Sequence, residues 1–217
     1  MLIRMAAPGP RPVLVARSET PEVDDATLAR SAAVGDPAAH TAIWDRYNPL
    51  VRRVLRRTMG PSGDVEDQVQ EVFLRFYRNR ALLRNPAALR SFLFGITLRV
   101  AASELRSRRV RNWLRLTPDG VLDDLAAPHV DADAREAVKR LYVILDRLDT
   151  QSRLAFVLHH VEGLELLDVA GALGVSLATV KRRLSRVSAR VLAMAQGDRM
   201  LIDYLGTSEP ASGEKLR

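Results

Sequence analysis

Apolar residues recur every three or four positions along most of this chain, which is the spacing of a helix with one buried face. The pattern begins near residue 24, where Asp24 or Asp25 can cap a first short helix that runs to Val34. No stretch alternates apolar and polar residues for long enough to form a sheet strand. The sequence therefore predicts an all-α protein.

Three more helices follow in the first half of the chain. The second helix is predicted to begin at Asp36 and Pro37, which form a cap followed by proline at the first helical position, and to continue to about Thr58. A Gly-Pro-Ser-Gly loop comes next, and Asp64 opens a third helix. A fourth helix is predicted from about Ala87 to Val110.

The helical pattern lapses over residues 114–133, which are rich in Asp, Pro and Ala and predict a flexible acidic linker. The pattern resumes near Ala134. We therefore expect two small helical domains, residues 24–113 and 134–195. The ends, residues 1–23 and 196–217, carry no such pattern and are predicted to be disordered tails.

The second domain contains a helix-turn-helix pattern between Leu166 and Arg190. Gly174 stands where a helix end needs a residue that tolerates positive φ, Val175 can fill the core at the turn, and Ser176 can cap the next helix. One face of that helix is apolar and the opposite face is basic: Lys181, Arg182, Arg183, Arg186 and Arg190. This combination favours DNA binding over an ordinary helical hairpin with a solvated basic face.

Composition supports a nucleic-acid partner. The 217 residues include 33 Lys and Arg against 26 Asp and Glu, for a formal net charge of +7. The excess is nearly all arginine, which suits bidentate contacts with phosphate and guanine, although a GC-rich genome also favours arginine. Aromatic residues make up 5% of the chain, which disfavours a base-stacking sheet.

Other classes of function find little support. The chain has no cysteine, which excludes disulfides and thiolate metal sites and fits a reducing cytosol. No apolar run is long enough to cross a membrane, so no membrane insertion is expected. His159 and His160 point about 100° apart on a helix, so structural roles are favoured over metal binding. No metal, cofactor or catalytic residue is predicted.

Two further helices carry clusters of charged residues that indicate binding partners. The end of the fourth helix is basic, so the two domains would grip one nucleic acid at two places. The third helix gathers acids in its first two turns. Since these acids would repel DNA, we expect a protein to bind them.

Three stretches together resemble a known family, the extracytoplasmic-function (ECF) sigma factors of bacterial RNA polymerase, within the sigma-70 family. DVEDQVQEVFLRFYR resembles the acidic helix that docks on the clamp of the polymerase β′ subunit. FLFGITLRVAASELRSRRVR is similar to the helix that recognises and melts the −10 promoter element. LDRLDTQSRLAFVLHHVEGLELLDVAGALGVSLATVKRRLSRVSARV resembles the domain that recognises the −35 element. The likeness extends from about Asp25 to Leu192.

The resemblance implies roles for particular residues. Residues 24–113 would be sigma region 2, and residues 134–195 would be sigma region 4. The implied polymerase-binding residues are Asp64, Glu66, Asp67, Gln70 and Glu71. The implied contacts with the −10 element are Arg84, Asn85, Arg99, Ser103, Arg106, Arg108 and Arg109. The implied contacts with the −35 element are Ser176, Thr179, Lys181, Arg182, Ser185 and Arg186.

The chain also departs from the family pattern. Arg99 stands where the family often has Asn, and Phe92 and Phe94 replace the more usual Trp and Tyr, which puts the −10 base preference in doubt. The implied protein is not an enzyme. It is a cytoplasmic sigma factor, monomeric when free, that binds core polymerase through the β′ clamp and β flap, promoter DNA, and a cognate anti-sigma factor.

Two alternatives stay open on the sequence. One is a stand-alone helix-turn-helix regulator, which would bind its operator tightly without polymerase. The other is a non-initiating, sigma-like interaction adaptor, which would keep the fold without starting transcription. Run-off transcription with core polymerase separates the three hypotheses.

Overall fold

The computed structural model describes residues 23–60, 65–113 and 132–195, and every regular element in these ranges is helical. The first bundle consists of α1 (Asp25–Ala33), α2 (Pro37–Met59), α3 (Glu66–Asn79) and α4 (Leu89–Trp113). The second bundle consists of α5 (Ala132–Asp146), α6 (Thr150–Phe156), α7 (Leu166–Leu173) and α8 (Leu177–Ala195). Short 3₁₀ turns at Arg80–Leu82 and Pro86–Ala88 join α3 to α4, and a π-helical turn at Val157–Val161 extends α6. The all-α prediction is confirmed.

Several predictions fall outside the described residues. They are the disordered tails, the flexible linker over most of its length and the role of Asp64.

The helices begin where side-chain caps allow. The Thr27 backbone N–H donates to Asp24 Oδ1 at 2.9 Å, and the Ala38 N–H donates to Asp36 Oδ1 at 2.9 Å. Ser152 N–H donates in the same way to Asp149 Oδ1 at 3.0 Å. Each cap satisfies a backbone donor that the first helical turn leaves without a partner, and such a cap is typically worth about 1 kcal/mol.

The core of the first bundle forms where α2, α3 and α4 meet. Ile43, Leu55, Phe73 and Phe76 are almost completely buried there, as is Leu93 of α4. Burying each such side chain contributes about 2 kcal/mol. The Trp44 and Phe73 rings pack at a centroid distance of 4.4 Å. These contacts fix α3 on α2 and leave the opposite face of α3 to solvent.

Helix α4 has a second apolar stripe that does not face α2 and α3. Leu98, Ala102 and Leu105 are buried. Seen along the axis of α4, these three residues and Arg109 lie within a sector of about 60°. Arg109 donates from a guanidinium nitrogen to the Leu148 carbonyl of the second bundle at 3.4 Å. The stripe therefore points at the second bundle, and α4 packs against α6 and α7 as well as α2 and α3.

The two bundles therefore share a core. Leu154, Leu158, Val169 and Val180 belong to the same buried cluster as the centre of the first bundle. A separate cluster inside the second bundle includes Leu141, Leu145, Phe156, Val187 and Val191. The sequence predicted two helical domains and did not predict this contact between them. No helix in the described ranges is long and apolar enough to cross a membrane.

His160, in the π-helical turn, is a half-buried histidine whose surroundings favour the neutral form. Its Nε2 atom is buried without a hydrogen-bond partner, and its ring packs on Phe156 at a centroid distance of 4.6 Å. Burial, and to a smaller extent the neighbouring His159, lowers the pKa of His160 from 6.5 to about 4.

This pKa makes stability depend on pH. Between pH 6.5 and about 4 the unfolded chain binds a proton at His160 that the folded chain does not. The stability contributed by neutral His160 is therefore complete above pH 6.5 and is lost as pH falls through this window. We expect the urea midpoint of His160→Gln, followed by circular dichroism, to fall less than that of the wild type between about pH 7 and pH 4.5. Parallel curves for the two proteins would contradict this reading of His160.

Candidate protein and nucleic-acid interfaces

The helix-turn-helix turn has the geometry that its sequence predicts. Gly174 has φ +65° and ψ +36°, the left-handed conformation, and its N–H bonds back to α7. Val175 N–H donates to the Ala170 carbonyl at 3.0 Å, and the Val175 side chain packs on the core. Thr179 N–H donates to Ser176 Oγ at 3.2 Å, which confirms Ser176 as the cap of α8.

The exposed face of α8 forms one strip. We call this the α8 strip: Ala178, Lys181, Arg182, Ser185, Arg186 and Ala189. The structure records no ion pair for Lys181, Arg182 or Arg186 among the residues that it describes. Arg182 lies near the middle of the strip beside small side chains, so another macromolecule can approach the helix backbone closely there.

Arg183 has a different position from the other cations of α8. Its side chain is half-buried, and a guanidinium nitrogen lies 3.5 Å from Gln151 Oε1 of α6. Ser176 and Thr179 also make contacts at the start of the helix, where their hydroxyl oxygens lie 2.9 Å apart. The exposed members of the predicted −35 set are therefore Ser176, Lys181, Arg182, Ser185 and Arg186.

A second candidate surface is the acidic face of α3. Asp67 and Gln70 are exposed, and Glu66 and Glu71 are half-buried. Glu66 pairs with Arg52 of α2, and Glu71 pairs with Arg75 Nε at 2.6 Å. In the described part of the chain, no ion pair is recorded for Asp67.

Leu74 lies on the same face as Asp67 and was not singled out from the sequence. Seven residues separate the two, which places them about 20° apart around α3, and Leu74 is 48% exposed. An exposed leucine among acids is a feature of protein interfaces, where an apolar anchor is surrounded by polar groups. The sequence did contain a signal for it, because Leu74 does not fit the three- to four-residue spacing of the buried apolar positions of α3.

A cleft of about 300 Å³ separates α3 from α4. Asp67, Gln68, Glu71 and Arg75 line one side, and Val100, Ser103 and Glu104 line the other. Ser103, predicted at the −10 surface, therefore lies in a mainly acidic cleft beside Asp67 and Glu71.

The structure does not bring the remaining −10 residues onto one face. Arg99 and Arg106 are exposed and share a side of α4. Arg108 pairs with Glu104 through Nε at 3.0 Å, and Arg109 contacts Leu148 of the second bundle. Arg84 and Asn85 are exposed before α4, where Asn85 Oδ1 accepts the Ala87 N–H at 3.1 Å.

The histidine pair occupies structural positions. A His159 ring nitrogen, Nδ1, lies 2.8 Å from the Leu164 carbonyl oxygen and so links the π-helical turn to the loop before α7. Across the ranges that the structure covers, no group of three or more His, Cys, Asp or Glu side chains could hold a metal ion.

Comparison with known families matches both bundles. The model of Sigma-70 region 2 matches residues 43–111, and the model of Sigma-70 region 4 matches residues 139–191.

Whole-protein comparisons agree. The chain is 30% identical to RNA polymerase sigma factor NccH of Alcaligenes xylosoxydans xylosoxydans, over 83% of this chain and 98% of that one. It is 29% identical to ECF RNA polymerase sigma factor SigM of Mycobacterium tuberculosis, over 86% and 88% respectively.

The fold is also similar to a solved structure, that of CnrH in complex with the cytosolic domain of CnrY. The match has a TM-score of 0.55 and 26% identity, and it covers 80% of this chain and 98% of CnrH. With two family models in the expected order and a 30% identical relative over most of its length, the chain belongs to the ECF group of the sigma-70 family: it binds core RNA polymerase and directs promoter-specific transcription initiation through the −10 and −35 elements.

Proposed function

We propose that the acidic face of α3 docks on the β′ clamp of core polymerase and that the α8 strip contacts the −35 element. The observation that carries this assignment is the segregation of unlike charges: α3 carries the exposed Asp67 between two half-buried glutamates, and α8 exposes cations for which the described ranges record no ion pair. Carboxylates that repel DNA suit a basic protein surface, whereas arginines on an exposed helix suit the major groove. The second bundle would also contact the β flap.

Within the α3 face, Asp67 is the best candidate for a charged contact. Glu66 and Glu71 already pair with Arg52 and Arg75, so a partner must compete for them. Asp67 has no such intramolecular ion pair in the described ranges, and Leu74 beside it offers about half of its surface. We infer that Asp67 and Leu74 form the centre of the docking surface, with Gln70 and the two paired glutamates around it; Asp64, outside the described residues, stays a proposed member.

For the −10 element we propose Arg99 and Arg106 on α4, together with Arg84 and Asn85 before it. Arg108 and Arg109 are engaged within the protein in the described structure, and Ser103 faces the acidic cleft. The two arginines would need to release these partners, and Ser103 would need access from outside the cleft, before they contact DNA. Residues 24–113 and 134–195 remain the proposed limits of the two functional domains.

We also propose a cognate anti-sigma factor as a partner, supported by the solved complex of CnrH with the cytosolic domain of CnrY. The free protein would be cytoplasmic. It would also be a monomer, because polymerase sets its register on DNA and the symmetry of a dimer is not needed for that. Sigma factors are initiation factors rather than enzymes, so bond formation would belong to polymerase. Run-off transcription from a cognate promoter tests the proposal, which fails if this chain binds core polymerase yet starts no transcript from any genomic promoter fragment.

Reversing the charge of Asp67 tests the docking surface. We expect Asp67→Lys to weaken core polymerase binding by about 1–2 kcal/mol, roughly five- to thirtyfold in Kd, because a basic partner would then meet a like charge. Fluorescence anisotropy of labelled sigma titrated with core polymerase measures the change. Asp45→Lys, at an exposed carboxylate of α2, is the matched control. Equal affinities for the two variants would remove Asp67 from the interface.

Truncating Arg182 tests the α8 strip. If Arg182 contacts a base edge, Arg182→Ala should cost about 1–3 kcal/mol on promoters with the preferred −35 sequence and little on others. If it contacts phosphate, the loss should be uniform across sequences and should shrink at high salt. Arg190→Ala on the same helix, about 80° from Arg182, is the control. Promoter competition assays with holoenzyme distinguish these results, and equal behaviour of the two variants would exclude Arg182 from the contact.

A further inference from the structure

The first turn of α8 engages its hydroxyl groups within the protein. Ser176 Oγ accepts the Thr179 N–H at 3.2 Å and lies 2.9 Å from Thr179 Oγ1. Thr179 is also half-buried. Each hydroxyl therefore already has a hydrogen-bond partner inside the turn, and a base edge that approached either of them would compete with that contact.

Ala178 is the side chain that the leading end of the α8 strip presents outwards. It is exposed and is the second residue of α8. It lies about 40° around the helix from Arg182, near the middle of the strip, and about 6 Å before it along the axis. Leu177, by contrast, lies about 20° around the helix from Leu184, which is buried. The outward surface at the start of the strip is therefore the methyl group of Ala178.

A methyl group at this position limits which base edge it can face. In a helix-turn-helix protein the second helix lies in the major groove, and its N-terminal residues contact base edges. A methyl group has no donor or acceptor, so it would remove water from a polar base edge without replacing the lost hydrogen bond. Every base presents polar atoms in the major groove, and thymine alone also presents a methyl group, on C5. Contact between two methyl groups leaves no polar group without a partner.

We propose that Ala178 is a specificity-determining residue whose methyl group packs on the C5-methyl group of a thymine in the −35 element. This inference rests on the proposed function, because it assumes that the α8 strip contacts that element. It goes further in naming the base that the start of the strip selects, which the cations of the strip do not define.

The spacing along α8 also limits where this thymine lies. Ala178 and Arg182 are separated by about 6 Å along the helix axis. Successive base pairs of B-DNA are ~3.4 Å apart. The thymine therefore lies within about two base pairs of the pair that faces Arg182. It can belong to either strand, because the major groove exposes the base edges of both.

Replacement of thymine by deoxyuridine tests the contact, because deoxyuridine pairs with adenine in the same way and lacks only the C5-methyl group. Holoenzyme is assembled from core polymerase and this chain, and it selects promoters from a library that is randomised over the −35 element. Each thymine of the selected element, on either strand, is then replaced singly, and holoenzyme binding is measured by competition. We expect one replacement to weaken binding about fourfold, the effect of leaving one methyl group out of a contact.

Two glycine variants show whether Ala178 makes this contact. Ala178→Gly removes the methyl group from the protein, so the same replacement should then change binding by less than about twofold. Ala38→Gly is the matched control, because Ala38 is exposed and is also the second residue of its helix, α2. Since glycine lowers helix propensity at both positions, the control should keep the fourfold response only if that response depends on the contact. Circular dichroism verifies that each variant stays folded.

The results separate the methyl contact from the wider assignment of the α8 strip. The contact is overturned if no single replacement weakens binding by the wild type, or if Ala178→Gly responds to every replacement as the wild type does. Loss of the response in both glycine variants would also overturn it. If Arg182→Ala and Ala178→Gly both select the wild-type −35 sequence and bind it equally well, the α8 strip is not the −35 surface, and that part of the proposed function fails.

Discussion

The capture of the end of α2 by Arg153 is the interaction on which the arrangement of the two bundles depends. A long helix must satisfy its last carbonyl groups, and here α2 does so mainly with donors from another domain rather than from its own loop. Arg153 in turn can be buried because those carbonyls, Asp146 and the Tyr142 ring surround its charge. The second bundle thus supplies hydrogen-bond donors to the end of α2, and α2 supplies acceptors to Arg153. The contact between the bundles is therefore specific and does not rest on apolar surfaces alone.

The same residue types carry out different tasks according to their partners. Arg182 and Arg183 are neighbours in the sequence, yet one is exposed on the α8 strip and the other turns back towards Gln151. On α3, Glu71 is held by Arg75, whereas Asp67 has no such ion pair in the described part of the chain. Charges such as Asp67 and Arg182, for which the described ranges record no ion pair, are those that another macromolecule can engage at the lowest desolvation cost.

The boundary between the two bundles combines apolar and polar contacts. On the apolar side, Leu98 and Leu105 of α4 are buried, and they lie on the same side of the helix as Arg109, which contacts Leu148 of the second bundle. On the polar side, Glu162 pairs with Arg53 and Arg57 of α2, and Arg57 donates to the Val161 carbonyl.

The sequence by itself determined the helices, the helix-turn-helix and the family. Asp24, Asp36, Gly174 and Ser176 mark helix ends through interactions within a few residues, which a linear pattern contains. Only the tertiary structure decided how the bundles meet. Arg153 contacts carbonyls 94 and 95 positions away, and nothing local distinguishes it from other arginines. Likewise, Arg109 and Arg106 look alike in the sequence. They differ in the structure because the second bundle occupies the side of α4 that carries Arg109 and leaves the side that carries Arg106 exposed.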